Sequence, residues 1–200
     1  MIFKDGVILY REGRDEKIII KRRVVGMALS SLLFVSSAHA LDINIRVSGE
    51  IYIPPCVIND NNSQINIDFG SVLLPNIDGV NYAKSKTVNV NCEYYQGRPY
   101  ISVMGAQLPG TGGNVLQTTG PNAASLGIAL YQGNGVNSSF PLKIGAGEQG
   151  KYGFPITNGL QGINTGSGQF TFTAVPYKSN GTNLVAARFS ATATMSIIYL

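Results

Sequence analysis

Two hundred residues with 13% charged side chains, 44% apolar side chains, 24 Gly and a formal net charge of +4 make one folded domain with at most a short appendage. This composition excludes a disordered chain. Of the net charge, +3 belongs to the first forty residues, which leaves the rest near neutral and excludes a basic surface for nucleic acid.

The chain opens on an address. Lys21, Arg22 and Arg23 precede an apolar run over residues 24–35, and Ala38-His39-Ala40 follows. A cationic segment, a short apolar core and a small-x-small end form the pattern of a secretory signal peptide. The run is shorter than the roughly 20 apolar residues of a membrane span. Cleavage is expected after Ala40, which makes residues 1–40 a signal and Leu41 the first mature residue. The single histidine, His39, leaves with it. The mature chain then has no Ser-His-Asp or Cys-His pair and no imidazole ligand for a metal. No cofactor site is expected.

From Leu41 the odd positions Ile43, Ile45, Val47, Ile51 and Ile53 are apolar, with Gly49 the one lapse before Pro54-Pro55. Thirteen residues exceed the usual strand, so the segment is expected to divide at Gly49. Its first part is an apolar-faced strand with no place in the sheet, a liability unless something pairs with it. Cys56 and Cys92 are an even pair in an exported chain, and a disulfide is the default reading. Asn59-Asp60-Asn61-Asn62 lacks the Gly and Glu of a calcium loop and reads as a turn.

Period-2 alternation marks the strands that follow. Ile65, Ile67 and Phe69 share one face; so do Val88, Val90, Cys92 and Tyr94. Further strands are expected over 100–104, 126–131 and 169–175. Gly145-x-Gly147-x-x-Gly150 matches a dinucleotide-binding string, but Lys151-Tyr152-Gly153-Phe154-Pro155 follows where a helix must start, so it reads as a loop. The last strand alternates Phe189, Ala191, Ala193, Met195, Ile197 and Tyr199 against polar neighbours almost to the end of the chain. Six or seven strands joined by Gly/Asn/Pro loops predict an all-β sandwich.

At this point the chain resembles a pilin of the chaperone–usher family of Gram-negative fimbriae. Gly49-x-Ile51 with Cys56 seven residues after the Gly, Asp68-Phe69-Gly70-x-Val72, Leu126-Gly127-Ile128-Ala129-Leu130 and a terminal strand with penultimate Tyr199 occur in family order. Ile43-Asn44-Ile45-Arg46, Ile51-Tyr52-Ile53-Pro54-Pro55-Cys56 and Ala193-Thr194-Met195-Ser196 are most similar to a minor subunit that adapts an adhesin to a tip fibrillum. Ala187 stands where the family often has Gly, and the short segment before Gly49 differs from the longer one of shaft subunits.

The resemblance implies an incomplete immunoglobulin-like β-sandwich, a six-stranded pilin domain at 49–200 preceded by a donor-strand extension at 41–48. It implies export through the periplasm to a fimbrium on the cell surface, where the subunit supports adhesin presentation and cell adhesion. Leu41, Ile43, Ile45 and Val47 would be donor residues. Phe189, Ala191, Ala193, Met195, Ile197 and Tyr199 would line the groove and face the chaperone. The implied partners are a periplasmic chaperone, an outer-membrane usher, neighbouring pilins and the tip adhesin. β-Strand addition would join them, with main-chain bonds giving affinity and alternate side chains giving specificity.

Three other readings compete. A shaft pilin shares most of these features. A single-domain adhesive pilin would use Tyr94, Tyr95, Tyr100 and Tyr131 as a platform for a host glycan. A secreted enzyme would need a nucleophile–base pair, and the chain offers none.

Overall fold

The computed structural model describes residues 43–147, 150–179 and 181–200. The signal segment, its cleavage position and Leu41 lie outside the described residues. The chain divides after Val47. Of the first unit, Ile43, Ile45 and Val47 are exposed and join no strand.

The second unit is built of antiparallel strands: β1 (Val57–Ile58), β2 (Lys84–Asn91), β3 (Pro99–Gly105), β4 (Val115–Gln117), β5 (Leu126–Gln132), β6 (Phe154–Pro155), β7 (Leu160–Gln161), β8 (Ser167–Lys178) and β9 (Ala193–Tyr199). Six of these have three residues or more. One sheet runs β1-β2-β8-β5-β4, with β7 also on β8; the other runs β6-β3-β9. The register puts Val88 opposite Phe170 and Thr87 opposite Thr171. Inward and outward side chains therefore match from Val88 to Val90, whereas Lys84 and Lys86 are exposed opposite the buried Ala174 and Phe172.

The alternation in the sequence becomes two faces. Val88, Val90, Ile101, Val103, Ile128, Leu130, Phe170, Phe172, Ala174, Ile197 and Tyr199 form one core between the sheets. Each buried aliphatic side chain contributes about 1.5–3 kcal/mol before the entropy of ordering it is subtracted. Ala129 and Val175 point the other way and are covered by Leu108 and Val115, a small second layer outside the larger sheet. Hydroxyls pair across the outer face of β2 and β8, Ser85 with the buried Thr173 and Thr87 with Thr171, each at 2.8 Å. The buried Gln132 ties two loops together: its Oε1 accepts from Thr157 N and Asn158 N, and its Nε2 donates to the carbonyls of Pro141 and Pro155.

Asn59, Asp60, Asn61 and Asn62 all take positive φ, and Ile58 N donates to Asn62 Oδ1 at 2.9 Å. Asn and Asp tolerate this left-handed region better than other side chains do, so the tetrad makes a sharp turn after β1. Among the described residues no group of three or more potential ligands gathers around a cation position. Gly145, Gly147 and Gly150 also take positive φ and lead into β6, not into a helix.

Three expected strand limits shift, each for a physical reason. Tyr94 does not share the face of Val88 and Val90, because the β2 ladder ends at Asn91 opposite Ser167 and the chain bends at Glu93. Residues 65–69 keep a half-buried apolar face yet join no ladder, since among the described residues no strand lies beside them. The last strand is laddered only from Ala193, because β3 ends at Gly105 opposite it.

Cys56 and Cys92 form a disulfide that closes a loop with a sequence separation of 36, pinning the entry of β1 to the exit of β2. In the chain-entropy model such a loop is worth roughly 3–4 kcal/mol. Replacing both cysteines by alanine is expected to lower stability by about that amount, read as a lower urea midpoint. An unchanged midpoint would mean that packing alone holds β1 on β2.

Candidate functional site

The core is not closed on every side. A groove of about 920 Å³ runs along one flank of the sandwich. One wall is the extended segment carrying Ile65, Ile67, Phe69 and Val72, and the other carries Phe189, Ala191, Ala193 and Met195. Its floor is the core itself: Val103, Leu116, Ile128, Leu130, Phe172 and Ala174 from both sheets. At one end Leu73, Leu74, Leu184 and Val185 widen the apolar lining.

The backbone along this groove is as informative as the side chains. Ile198 pairs with Tyr100 and Ser196 with Ser102, so β9 is bonded to β3 on one side only. Leu200 N donates to Arg98 O and Arg98 N to Leu200 O, which assigns the even-numbered positions of β9 to the β3 side. Main-chain groups alternate sides along a strand, so the odd-numbered positions turn theirs to the groove. Cys56 N donates to Ile197 O at 2.8 Å, on that outer side. Upstream of β9 the same alternation persists, since Thr119 N donates to Ser190 O at 2.8 Å. Among the described residues, the N–H and C=O groups of Phe189, Ala191, Ala193 and Met195 then have no main-chain partner on the groove side. The facing wall, residues 65–69, also lacks a ladder. Two strand edges with an apolar floor between them form a slot for one further strand.

The structure therefore separates the predicted groove set into two parts. Phe189, Ala191, Ala193 and Met195 line the slot, whereas Ile197 and Tyr199 continue the same face into the closed core, at 0% and 2% exposure. The Cys56–Ile197 bond marks the change. Sequence reading missed the opposite wall as part of the site. The alternation of Ile65, Ile67 and Phe69 was visible, but the absence of a neighbouring strand is a three-dimensional fact. The rings of Phe69 and Phe189 come within 6.4 Å, centroid to centroid, and link the two walls.

Charge is sparse here. Asp68 and Arg188 are the ionic residues of the lining. Asp68 Oδ1 accepts from Gly70 N at 2.9 Å, and Lys84 Nζ donates to the Asp68 carbonyl, so this corner is fixed by its own neighbours. Beyond Ile77, Asp78 holds the next loop: Asn81 N and Val80 N donate to its Oδ1 at 2.7 and 2.9 Å, and Asn81 Nδ2 to its Oδ2. These bonds hold the Asp78 carboxyl below its ordinary value, the one to Asn81 N most of all. Because the folded loop favours the ionised form, its support is in place above the ordinary carboxylate range and fades as pH falls through the lowered value. The Val80 and Asn81 amide resonances are expected to titrate together below the usual aspartate midpoint, and Asp78→Asn should abolish the step. An ordinary midpoint would mean that these bonds do not persist in solution.

The four tyrosines do not converge. Tyr100 lies on the outer face of β3, opposite Ile198, whereas Tyr131 packs on the outer layer over β5 in the other sheet. Tyr94 and Tyr95 are partly exposed beyond the end of β2.

An antiparallel sandwich with its core open along one missing strand defines an incomplete immunoglobulin-like domain of the pilin type. The fimbrial protein family model matches residues 45–200, and the chain belongs to this family of structural pilus subunits. It is 40% identical to the fimbrial adapter PapF of Escherichia coli over 169 residues, 84% of this chain and 95% of that protein. It is 37% identical to the minor fimbrial protein PrsF of Escherichia coli over the same extent. The solved structure of the P pilus adaptor subunit PapF superposes with a TM-score of 0.50 at 33% identity, covering 76% of this chain and all of that one.

Proposed function

We propose that this chain is a minor subunit of a pilus tip, an adaptor that joins its neighbours by donating one strand and accepting another. The observation that carries this reading is the row of groove-side main-chain groups at Phe189, Ala191, Ala193 and Met195, which have no partner among the described residues, beside an open apolar core. The adaptor role is supported by 40% identity to the adapter PapF across nearly its whole length. Residues 1–40 act as the export signal, 41–48 as the donor extension and 49–200 as the pilin domain.

A periplasmic chaperone fills the slot first, since a core open to water does not persist unaided. At the outer-membrane usher a neighbour's N-terminal strand replaces the chaperone strand, and the subunit passes into a fimbrium on the cell surface. Leu41, Ile43, Ile45 and Val47 enter the groove of the adjacent subunit, one position for the adhesin's pilin domain, while Asp42, Asn44 and Arg46 face out. The dispersed tyrosines favour this reading over direct glycan binding.

Two variants test it. Deleting residues 41–47 is expected to leave the chaperone complex at wild-type yield and to abolish entry into fibres. Loss of the complex, or normal assembly, would refute the donor role. Met195→Asp places a charge on the slot wall, a costly burial once a strand covers it. The expected result is loss of the chaperone complex and periplasmic degradation, and a normal complex would remove this wall from the docking edge. Met195 suits this better than Ile197, whose full burial would confound docking with folding.

A further inference from the structure

The disulfide joins Cys56 to Cys92 with their Cα atoms 4.2 Å apart, and β1 runs antiparallel to β2 with Val57 opposite Asn91. Residues before Cys56 and residues after Cys92 therefore leave the sandwich at the same end. At this pole Tyr94 and Tyr95 are 39% and 38% exposed, and Ile163 on the adjoining loop is 52% exposed. The two loops are braced against each other. Cys92 N donates to Gly166 O at 2.8 Å, and the Tyr95 ring lies 3.5 Å from where a Cβ on Gly166 would stand. Asn164 takes positive φ and, with its amide nitrogen turned toward them, donates to the carbonyls of Tyr95 and Gly97 at 3.2 and 3.1 Å. Thr165 Oγ1 donates to Gly162 O at 2.6 Å. Three large apolar side chains are thus held on stiff loops, in water, where the N-terminal segment departs.

We propose that Tyr94, Tyr95 and Ile163 form a contact surface for the pilin domain of the neighbour that takes this chain's donor strand. This rests on the donor-strand reading above and adds a second, body-to-body contact to it. The tether is short. Ile53 and Pro54 are half-buried in their own domain, so no more than the four residues Gly49–Tyr52 link it to the donor extension. Four extended residues span about 14 Å, whereas a domain of this length is about 40 Å across. A neighbour that holds residues 41–47 is therefore kept against this pole and cannot swing clear of it.

The surface that the neighbour brings is apolar as well. In this chain the slot is closed at Ile197 by Cys56. An inserted strand that continues into its own domain must leave by the other end, where Leu73, Leu74 and Val185 are exposed. A sister pilin of the same build presents such a rim to the pole. The contact is head-to-tail, so it repeats along a fibre without closing. Tyrosine suits it, because the ring buries apolar area while the hydroxyl keeps a polar partner or water.

The test is photo-crosslinking in fibres made by cells that express the complete gene cluster. A photoreactive aliphatic residue is placed singly at Ile45, Tyr94, Ile163 or Met104. Met104 is as exposed as Ile163 but lies on β3 toward the opposite end, facing Thr194. Ile45, Tyr94 and Ile163 are expected to crosslink to the same neighbouring subunit, and Met104 at less than a tenth of the Tyr94 yield. Crosslinking from Ile45 with silence at Tyr94 and Ile163 overturns the contact and leaves the donor strand standing. So does capture of the chaperone alone from those two positions, or an equal yield from Met104. Silence at Ile45 overturns the donor-strand reading, and the proposal with it.

Discussion

The structure depends on one unmet requirement: among the described residues, the groove-side edge at Phe189, Ala191, Ala193 and Met195 has main-chain donors and acceptors with nothing opposite them. A buried amide without a partner is costly, and an exposed edge beside an apolar floor invites a strand. This sandwich cannot meet the requirement by closing on itself, since the facing wall at residues 65–69 stands across a slot that belongs to a strand it lacks. A strand that filled it would supply both main-chain bonds and apolar side chains.

The remaining features hold that slot open and in shape. The disulfide fixes Cys56 against β2, and Cys56 in turn caps Ile197, so the edge is closed at a defined residue. Thr119 holds Ser190 through both main chain and hydroxyl, which keeps the wall extended above the start of β9. Small side chains at Ala191 and Ala193 leave depth where Phe189 and Met195 take it away. Rigidity of the walls lowers the ordering cost that an incoming strand must overcome.

Much of this was legible in the residues because burial on one face of a strand writes itself as alternation. Val88 and Val90, Phe170 and Phe172, and Ile197 and Tyr199 all declared their inward side this way, and the cysteine pair announced its bond through export. What alternation does not carry is the neighbour. Ile65, Ile67 and Phe69 read as a strand, and only the fold shows that among the described residues no strand pairs with them. The residues from Phe189 to Tyr199 read as one uniform face, yet a single bond from Cys56 divides them into slot and core. Short pairings such as β6 and β7 left no periodic trace, since two residues cannot display a period.

The direction of the chain at the slot argues that the strand which fills it comes from another molecule. Cys56 is bonded at Ile197, and thirteen positions later Phe69 packs on Phe189. Between these points the wall runs antiparallel to β9. The residues immediately before Cys56 therefore continue past the C-terminal end of β9, away from Phe189 and the open part of the edge. To enter its own slot the chain would have to reverse within Ile53-Pro54-Pro55, where Ile53 and Pro54 are already half-buried and two consecutive prolines hold φ near −65°. Prolines of this kind favour an extended path. The same local geometry turns the segment before Cys56 away from the slot of its own domain and leaves that slot open to a strand from another molecule.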